Sequence, residues 1–537
     1  MSSSEHVPVL VVGGGPTGVT AAILLAQRGA RTLVIDRWDD VYPLPRAVHL
    51  DDEIYRILQQ MGVAEDFGRI SRPIQGMRLL DADRTTMAEF RRNHAIGDHG
   101  HPQANLFDQP DLERLLRRRL ATLGDVELRT GIELVDLAAT SGAGPVRATV
   151  RDVASGEERV IHADTVLGCD GANSTVRSAL GVTLDDLGYE ERWLVVDIDS
   201  PMQLDVWDGV EQVCDPARAA TFMQVGPTRY RWEFRLHEGE DAVDLMEPER
   251  FATLLAPWTT GADLDDLRVM RRAEYTFRAK VADRWRDGRV FLLGDAAHLT
   301  PPFIGQGMCA GIRDAANLTW KLAEVRNGAD DQILDSYETE RKPHATTLIK
   351  TAVMVGRVMT GGQGAAAWFR RVGLALACRV PGFTDKVLEP RIPRFPTSDL
   401  VRPARGRQAL AGTMLPQPWV RTDTGRVRLD DVLGTSFAVL TTREELPGGG
   451  DALRRMGGRV VRIVRPGDSS AAPWADVVAE DIDDVLMPLF ARARVDSIVV
   501  RPDRVVALQS EGGRTAAVDW VRRFRRPDGS PVTARAR

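Results

Sequence analysis

The sequence predicts an α/β fold in which a Rossmann-type domain is interrupted by a mixed β-sheet and followed by a separate small α/β unit. Three observations carry this. A strand–turn–helix–strand unit fills the first 36 residues, charged and aromatic residues alternate over Arg229–Leu236, and the register changes after a stretch rich in Pro and Arg at Pro390–Arg407.

The first unit opens with the apolar run Val7–Val12 and turns through glycines. It continues as the helical stretch Thr17–Gly29 and closes with Thr32–Arg37. In the turn Gly13-x-Gly15-x-x-Gly18 each glycine has a duty. The first makes the tight turn, the second admits a pyrophosphate to the backbone, and the third lets helix and strand pack closely. The helix start at Pro16 and Thr17 faces the phosphates with free N–H groups. Asp36, 18 residues after Gly18, ends the second strand where a carboxylate accepts hydrogen bonds from an adenosine ribose. A second match, Gly362-Gln363-Gly364-x-x-Ala367, follows a helical pattern that begins near Ser336 and has no clean strand before it. It reads as a helix break, so one dinucleotide has a Rossmann site.

Farther along, Leu112, Leu115, Leu116 and Leu120 have helical spacing, and Ile161–Gly171 reads as a strand ending in a turn. Strict alternation in Arg229–Leu236 puts Tyr230, Trp232, Phe234 and Leu236 on one face of a sheet, with core as the favoured use of that face over a ligand wall. Arg289–Val325 predicts a buried strand, a loop rich in Gly and Pro, and a long helix. The strand-like runs Ser436–Thr442, Gly458–Val464 and Asp496–Gln509 belong to the final α/β unit.

Lys and Arg (70) against Asp and Glu (76) give a net charge of -6, too little positive charge for a nucleic-acid partner. Cys169, Cys214, Cys309 and Cys378 are scattered without zinc spacing, which predicts no metal and a reducing compartment. The uncharged stretch Val7–Gln27 contains Gly13, Gly14, Gly15, Pro16 and Gly18, so a strand, turn and helix explain it better than a membrane span. No basic n-region precedes it, and a cytoplasmic protein without a membrane partner is expected.

Two further turns bear chemistry. Gly294-Asp295 ends an apolar strand at the edge where open α/β sheets bind ligands, and Pro301-Pro302 then leads into Gly305-Gln306-Gly307-Met308 at a helix start. Free N–H groups there stabilise negative charge on a flat heterocycle. Asp170-Gly171 with Arg177 reads as an acid and an arginine around a tight turn, with a structural ion pair as the plainer use.

GxGxxG, then DG, then GD, in this order, resemble the flavoprotein aromatic hydroxylases, single-component FAD monooxygenases similar to p-hydroxybenzoate hydroxylase and phenol hydroxylase. The segments Pro43–Gly62 and Thr300–Leu322 look most like 3-(3-hydroxyphenyl)propionate hydroxylases. The resemblance covers residues 1 to about 390 and implies an FAD domain of 1–75, 104–182 and 276–390, with 76–103 and 183–275 as the inserted substrate sheet. It also implies a linker at 391–410 and a thioredoxin-like domain at 411–537, which lacks redox cysteines because Cys378 is the last cysteine.

By motif, Gly13, Gly15 and Gly18 would hold the FAD pyrophosphate, and Asp36 with Arg37 the adenosine end. Arg46 and Gln109 would contact the cofactor from the opposite side, Asp170 would lie near the pyrophosphate, and Asp295 would hold the ribityl chain. Met308 and Cys309 would turn backbone N–H groups to the isoalloxazine, Cys309 replacing the family's usual Asn, and Pro302 would flank flavin and substrate. Trp232, Pro301 and Phe303 are the substrate candidates, His49 is the candidate proton relay, and His298 is expected to brace the GD loop.

The implied reaction takes NADH or NADPH, O2 and a phenol, hydroxylating the ring through a flavin C4a-hydroperoxide. The implied substrate is an aromatic acid like 3-(3-hydroxyphenyl)propionate, and the implied assembly is a homodimer with the tail at the contact. Hydroxylation of a polycyclic natural product is the alternative, and a non-enzymatic flavoprotein regulator is the reading from another class. A halogenase would need W-x-W-x-I-P, which the chain lacks.

Overall fold

Strand Glu5–Val12 pairs in parallel with Thr32–Asp36 on one side and with Glu158–Gly168 on the other. Val126–Thr130 extends this sheet beyond Thr32–Asp36, and Val290–Leu292 extends it beyond Glu158–Gly168. Strands covered on both faces read as continuous apolar runs, and Val9, Leu10, Val11, Leu33, Val34 and Ile35 are all buried. This is a computed structural model. It describes residues 5–510 apart from 43–45, 93–95, 139–143, 216, 260–265, 361–393, 403, 405–407, 446–449 and 469–471. The Gly362 motif and Cys378 lie outside the described residues.

Helix Pro16–Ala26 follows the glycine turn and packs against Gly307–Arg326. Gly13 has φ +105°, and a Cβ there would stand 2.3 Å from the Cys169 carbonyl oxygen. Only glycine fits. A Cβ on Gly311 would stand 2.3 Å from Thr17 Oγ1, which is how closely the two helices approach.

The second sheet has eight strands in the order 298–299, 268–282, 184–199, 229–235, 220–224, 210–213, 76–80 and 86–91. Tyr230, Trp232 and Phe234 do share a face, where they pack with Phe222, Leu255 and Trp258 in a separate core. Arg231 and Glu233 point the other way, as period-two alternation requires.

A seven-stranded sheet forms the tail, with Arg459–Val464 parallel to both Ala438–Thr441 and Val477–Glu480 and the remaining pairs antiparallel. Two buried ion clusters seat it on the first domain. Arg501 grips both oxygens of Glu340 at 2.7 and 2.9 Å, and Arg56 grips both oxygens of Asp430 at 2.7 and 2.5 Å. No helix among the described residues is long and apolar enough to cross a membrane.

Candidate active site

Gly13, Asp36, Asp170 and Asp295 stand at or just after the C-terminal ends of four neighbouring parallel strands. The sheet therefore collects motifs spread over nearly 300 residues of sequence at one edge, where open α/β sheets bind ligands. A cleft of about 1820 Å3 opens there and reaches the charged face of the second sheet and the tail around Met414–Trp419. Gly15, Pro16, Thr17, Arg37, Arg46 and Gln109 line it. So do Asp170, Asp295, Pro302, Phe303, Gly305, Gly307, Met308 and His49. Gly13, Gly18, Asp36 and Cys309 stand behind the wall.

Each predicted loop has a distinct anchor. Gln109 Oε1 accepts the amides of Arg46 and Ala47 at 3.1 and 2.6 Å, so it shapes the Arg46 loop from behind. Asp36 takes Arg117 at 3.0 Å, and burial raises its carboxyl pKa. Asp170 bonds Ser174 Oγ at 2.5 Å and the Val176 amide at 3.1 Å. The expected Asp170–Arg177 ion pair is not formed. Arg177 instead donates to the carbonyls of Ala296 and Ala172, tying the DG turn to the GD turn. His298 bonds Asp314 at 2.8 Å, and Asp314 also accepts the Gly294 amide, so this histidine braces the GD loop.

Asp295 makes no hydrogen bond or ion pair among the described residues, and it is exposed to the cleft. Burial raises its pKa, against the pull of His298 and Arg46. The helices starting at Pro16 and Gly307 both lack a side-chain cap, so their first N–H groups face the cleft free of side-chain partners. A Cβ on Gly15 would meet nothing within 4 Å, which leaves room for a group against the backbone. Two uncapped helix starts and an unbonded acid between them suit a pyrophosphate, a polyhydroxyl chain and a ring that gains negative charge. The residues fit FAD.

The substrate candidates divide. Phe303 lines the cleft and meets Tyr189, Trp193 and Phe277 edge-on, at ring distances of 5.7, 5.6 and 6.5 Å. Trp232 is fully buried on the opposite face and Pro301 sits behind Pro302, so neither reaches the cleft. What the alternation left unassigned is the other face. There Gln212, Thr221 and Glu233 lie side by side in register, followed one row on by Arg231, Asp197 and Arg271. His49 stands 3.5 Å from the Gly305 carbonyl, and burial with Arg92 nearby lowers its pKa to about 4, so it is neutral at pH 7.

A family model described as an FAD binding domain matches residues 6–352, and one described as an HcaD C-terminal domain matches residues 412–523. A 3-(3-hydroxy-phenyl)propionate/3-hydroxycinnamic acid hydroxylase of Burkholderia cenocepacia is 35% identical over 530 residues, 96% of each chain. The chain belongs to the FAD-dependent aromatic hydroxylases. Another relative, from Rhodococcus jostii, carries the name "Probable NADH-specific resorcinol 4-hydroxylase" and is 34% identical over 94% of this chain and 92% of its own. Among solved structures, aklavinone-11 hydroxylase with FAD and aklavinone aligns with TM-score 0.77 and 25% identity over 98% of this chain and 99% of its own. The monooxygenase PieE with FAD and substrate aligns with TM-score 0.78 at 23% identity over 97% of this chain and 99% of its own, a likeness of fold. In this hydroxylase the glycine loop, the DG turn and the GD turn line one cleft whose residues fit FAD.

Proposed function

We propose that this hydroxylase uses NADH or NADPH, FAD and O2 to add one oxygen atom to a phenolic aromatic acid resembling 3-(3-hydroxyphenyl)propionate. The observation that carries this is the convergence of four motif loops on a cleft whose far wall joins the aromatic group around Phe303 to hydrogen-bonding side chains. FAD, when bound, supplies oxygen activation and transfer.

The chain's own residues do the positioning. Pro302 and Phe303 wall the ring in and exclude water, and Gln212, oriented by its 3.0 Å bond to the Phe303 carbonyl, offers its free Oε1 to a hydroxyl donor. His49, neutral and half-buried on the cleft wall, passes the phenolic proton on rather than keeping it. Asp295 would hold the ribityl chain of FAD, and the backbone amides at Met308 and Cys309 would stabilise negative charge on its ring. The same reading places the enzyme in the cytoplasm as a homodimer, in keeping with the free cysteines Cys169, Cys214 and Cys309.

The test is a screen in which phenols are added to purified protein with NADH or NADPH. The expected result is one FAD per chain, reductant consumption accelerated by the right phenol, and a product heavier by one oxygen. Equal consumption with and without every phenol overturns the reading. Cleft size favours a second reading, because about 1820 Å3 is more than an ordinary small-molecule site of roughly 300–1,000 Å3. A polycyclic substrate fits that room beside FAD, and polycyclic phenols in the same screen decide between the two.

A further inference from the structure

A guanidinium offers its donors along fixed directions in one plane, so a buried arginine whose nitrogens meet three different side chains pins those side chains relative to one another. Arg313 is such a residue. Its Nε donates to Glu53 at 2.6 Å, its Nη1 to the Gln306 side-chain oxygen at 2.8 Å, and its Nη2 to Asp51. Gln306 closes the ring by donating its side-chain nitrogen to the same Asp51 oxygen at 3.0 Å. Arg313, Glu53 and Gln306 are buried, and the other Asp51 oxygen accepts the Ile54 amide at the start of helix Asp52–Met61. One cation therefore ties together the starts of two helices, at Asp52 and at Gly307.

The second of these helix starts bears on the cofactor. Gln306 is the cap residue of helix Gly307–Arg326, and its side chain caps nothing because Asp51 and Arg313 hold it. A cap oxygen at that position would accept the amide of the second or third helical residue, here Met308 or Cys309. Those are the amides assigned to the FAD ring. Strand His49–Asp51 grips the turn beside Gln306 as well. His49 Nδ1 lies 3.5 Å from the Gly305 carbonyl, and a Cβ on Gly305, at φ +63°, would stand 2.7 Å from that nitrogen. His49 and Asp51 alternate with Leu50 and so share one face of the strand, which holds the adjacent turn residues Gly305 and Gln306 side by side.

We infer that Arg313 is a positioning residue for the flavin: with Asp51 it draws the Gln306 side chain off the helix start and fixes the Gly305–Gly307 turn, so that the Met308 and Cys309 amides stay open toward the ring. This role rests on the reading above that those amides stabilise negative charge on reduced FAD, and it adds the residue that keeps them free and aimed. The helix start supplies the field, and the buried network supplies its direction.

Anaerobic titration against reference dyes gives the two-electron potential of bound FAD in the natural protein, Arg313→Met, Arg313→Lys and Gln306→Ser. Arg313→Met should lower the ratio of reduced to oxidised flavin about tenfold at a fixed potential, the size of one charge-assisted hydrogen bond, which is a potential about 30 mV lower. Arg313→Lys keeps the charge without the planar fork and should recover only part of that loss. Gln306→Ser places a cap oxygen on the Met308 or Cys309 amide in competition with the ring, so it should lower the potential by a similar factor while the apoprotein resists urea as well as before or better. Should Arg313→Met fail to fold, Arg313→Lys and Gln306→Ser decide. A natural potential in Arg313→Met with only a loss of stability overturns the assignment. So does a natural potential in Arg313→Lys, which would make the residue a source of charge rather than of position. Gln306→Ser tells the two possible failures apart: a lower potential there with Arg313→Met unchanged ends the positioning role alone, whereas no shift in either variant means that the amides do not serve the ring.

Discussion

Two clusters of charge, the seam under the tail and the wall of the cleft, differ in how their acids are met. At the seam, fully buried Glu340 accepts from Arg501, Lys321, Asn317 and Ser398, all at 2.9 Å or less. Asp430 is gripped by Arg56 and also pairs with Arg504, whose Nε and Nη1 make no hydrogen bond among the described residues. On the cleft wall, Asp295 is exposed to the cleft with no bonded partner among the described residues, while buried Gln212 has an oxygen and buried Arg271 two nitrogens without hydrogen bonds. A buried acid whose oxygens are met by several donors marks structure, and polar groups left open on a cleft wall mark a place where a ligand can complete the protein.

The contrast is sharpest when one acid is removed from each region. Glu340→Ala leaves Lys321 buried without its acid and Arg501 with Asp503 alone, and breaking such a cluster costs about 3–5 kcal/mol. Urea unfolding should show that loss, with the flavin spectrum of the surviving folded protein unchanged. A loss under 1 kcal/mol would mean the seam is not the structural joint described here. Asp295→Ala should do the reverse, leaving unfolding of the apoprotein nearly untouched or improved. It should weaken FAD binding by about 1–3 kcal/mol, measured as flavin retained after dialysis. Normal retention together with lower apoprotein stability would put Asp295 on the structural side.

Much of this division was legible in the sequence, and the illegible part has a physical cause. Gly13, Gly15, Gly18 and Asp36 lie within one local unit, where spacing alone fixes what the turn can do. The GD turn was equally clear because a strand ends there. Strand alternation correctly put Trp232 with Tyr230 and Phe234, yet choosing the face that meets a ligand depends on what packs behind each side. That is a tertiary fact. The surroundings of Arg271 were hidden more deeply, since only the pairing of three strands brings Arg231 and Asp197 beside it. The seam was hidden for the same reason, as Arg56 and Asp430 are 374 residues apart.

Acid should loosen the seam through two histidines packed against it. His99 and His101 lie beside Arg56 and Arg428, and burial and these cations lower their pKa values to about 4 and about 3. An unfolded histidine takes a proton near pH 6.5, whereas these two resist it while folded. Their contribution is therefore intact above pH 6.5 and lost as pH falls toward 4 and then 3. Between pH 6.5 and 5.5 the loss should be about 1–2 kcal/mol. His101→Gln should flatten that slope in urea unfolding, and an unchanged slope would remove His101 from the account.

Asp52 gives the smallest and cleanest test, because it belongs to both regions. Its carboxyl borders the cleft and accepts the His99 amide at 3.2 Å. Asp51 beside it has Arg313, Gln306 and the Ile54 amide, so the two acids share a site but not its donors. Burial and the neighbouring Asp51 charge raise the pKa of Asp52 to about 7. The sign is opposite to that of the histidines. An unfolded Asp releases its proton near pH 4, the folded one near 7, so its contribution is full below pH 4 and lost as pH rises through 7. Asp52→Asn keeps the shape and the acceptor for His99 without the charge. Its stability relative to natural protein should therefore climb between pH 5 and 7, by at most about 1.4 kcal/mol per pH unit, and level off above. Because the histidines are the same in both proteins, their opposing slope cancels in the difference. A difference that stays constant from pH 5 to 8 would mean that Asp52 is ionised throughout, and that the pair behaves like the satisfied seam rather than the unsatisfied wall.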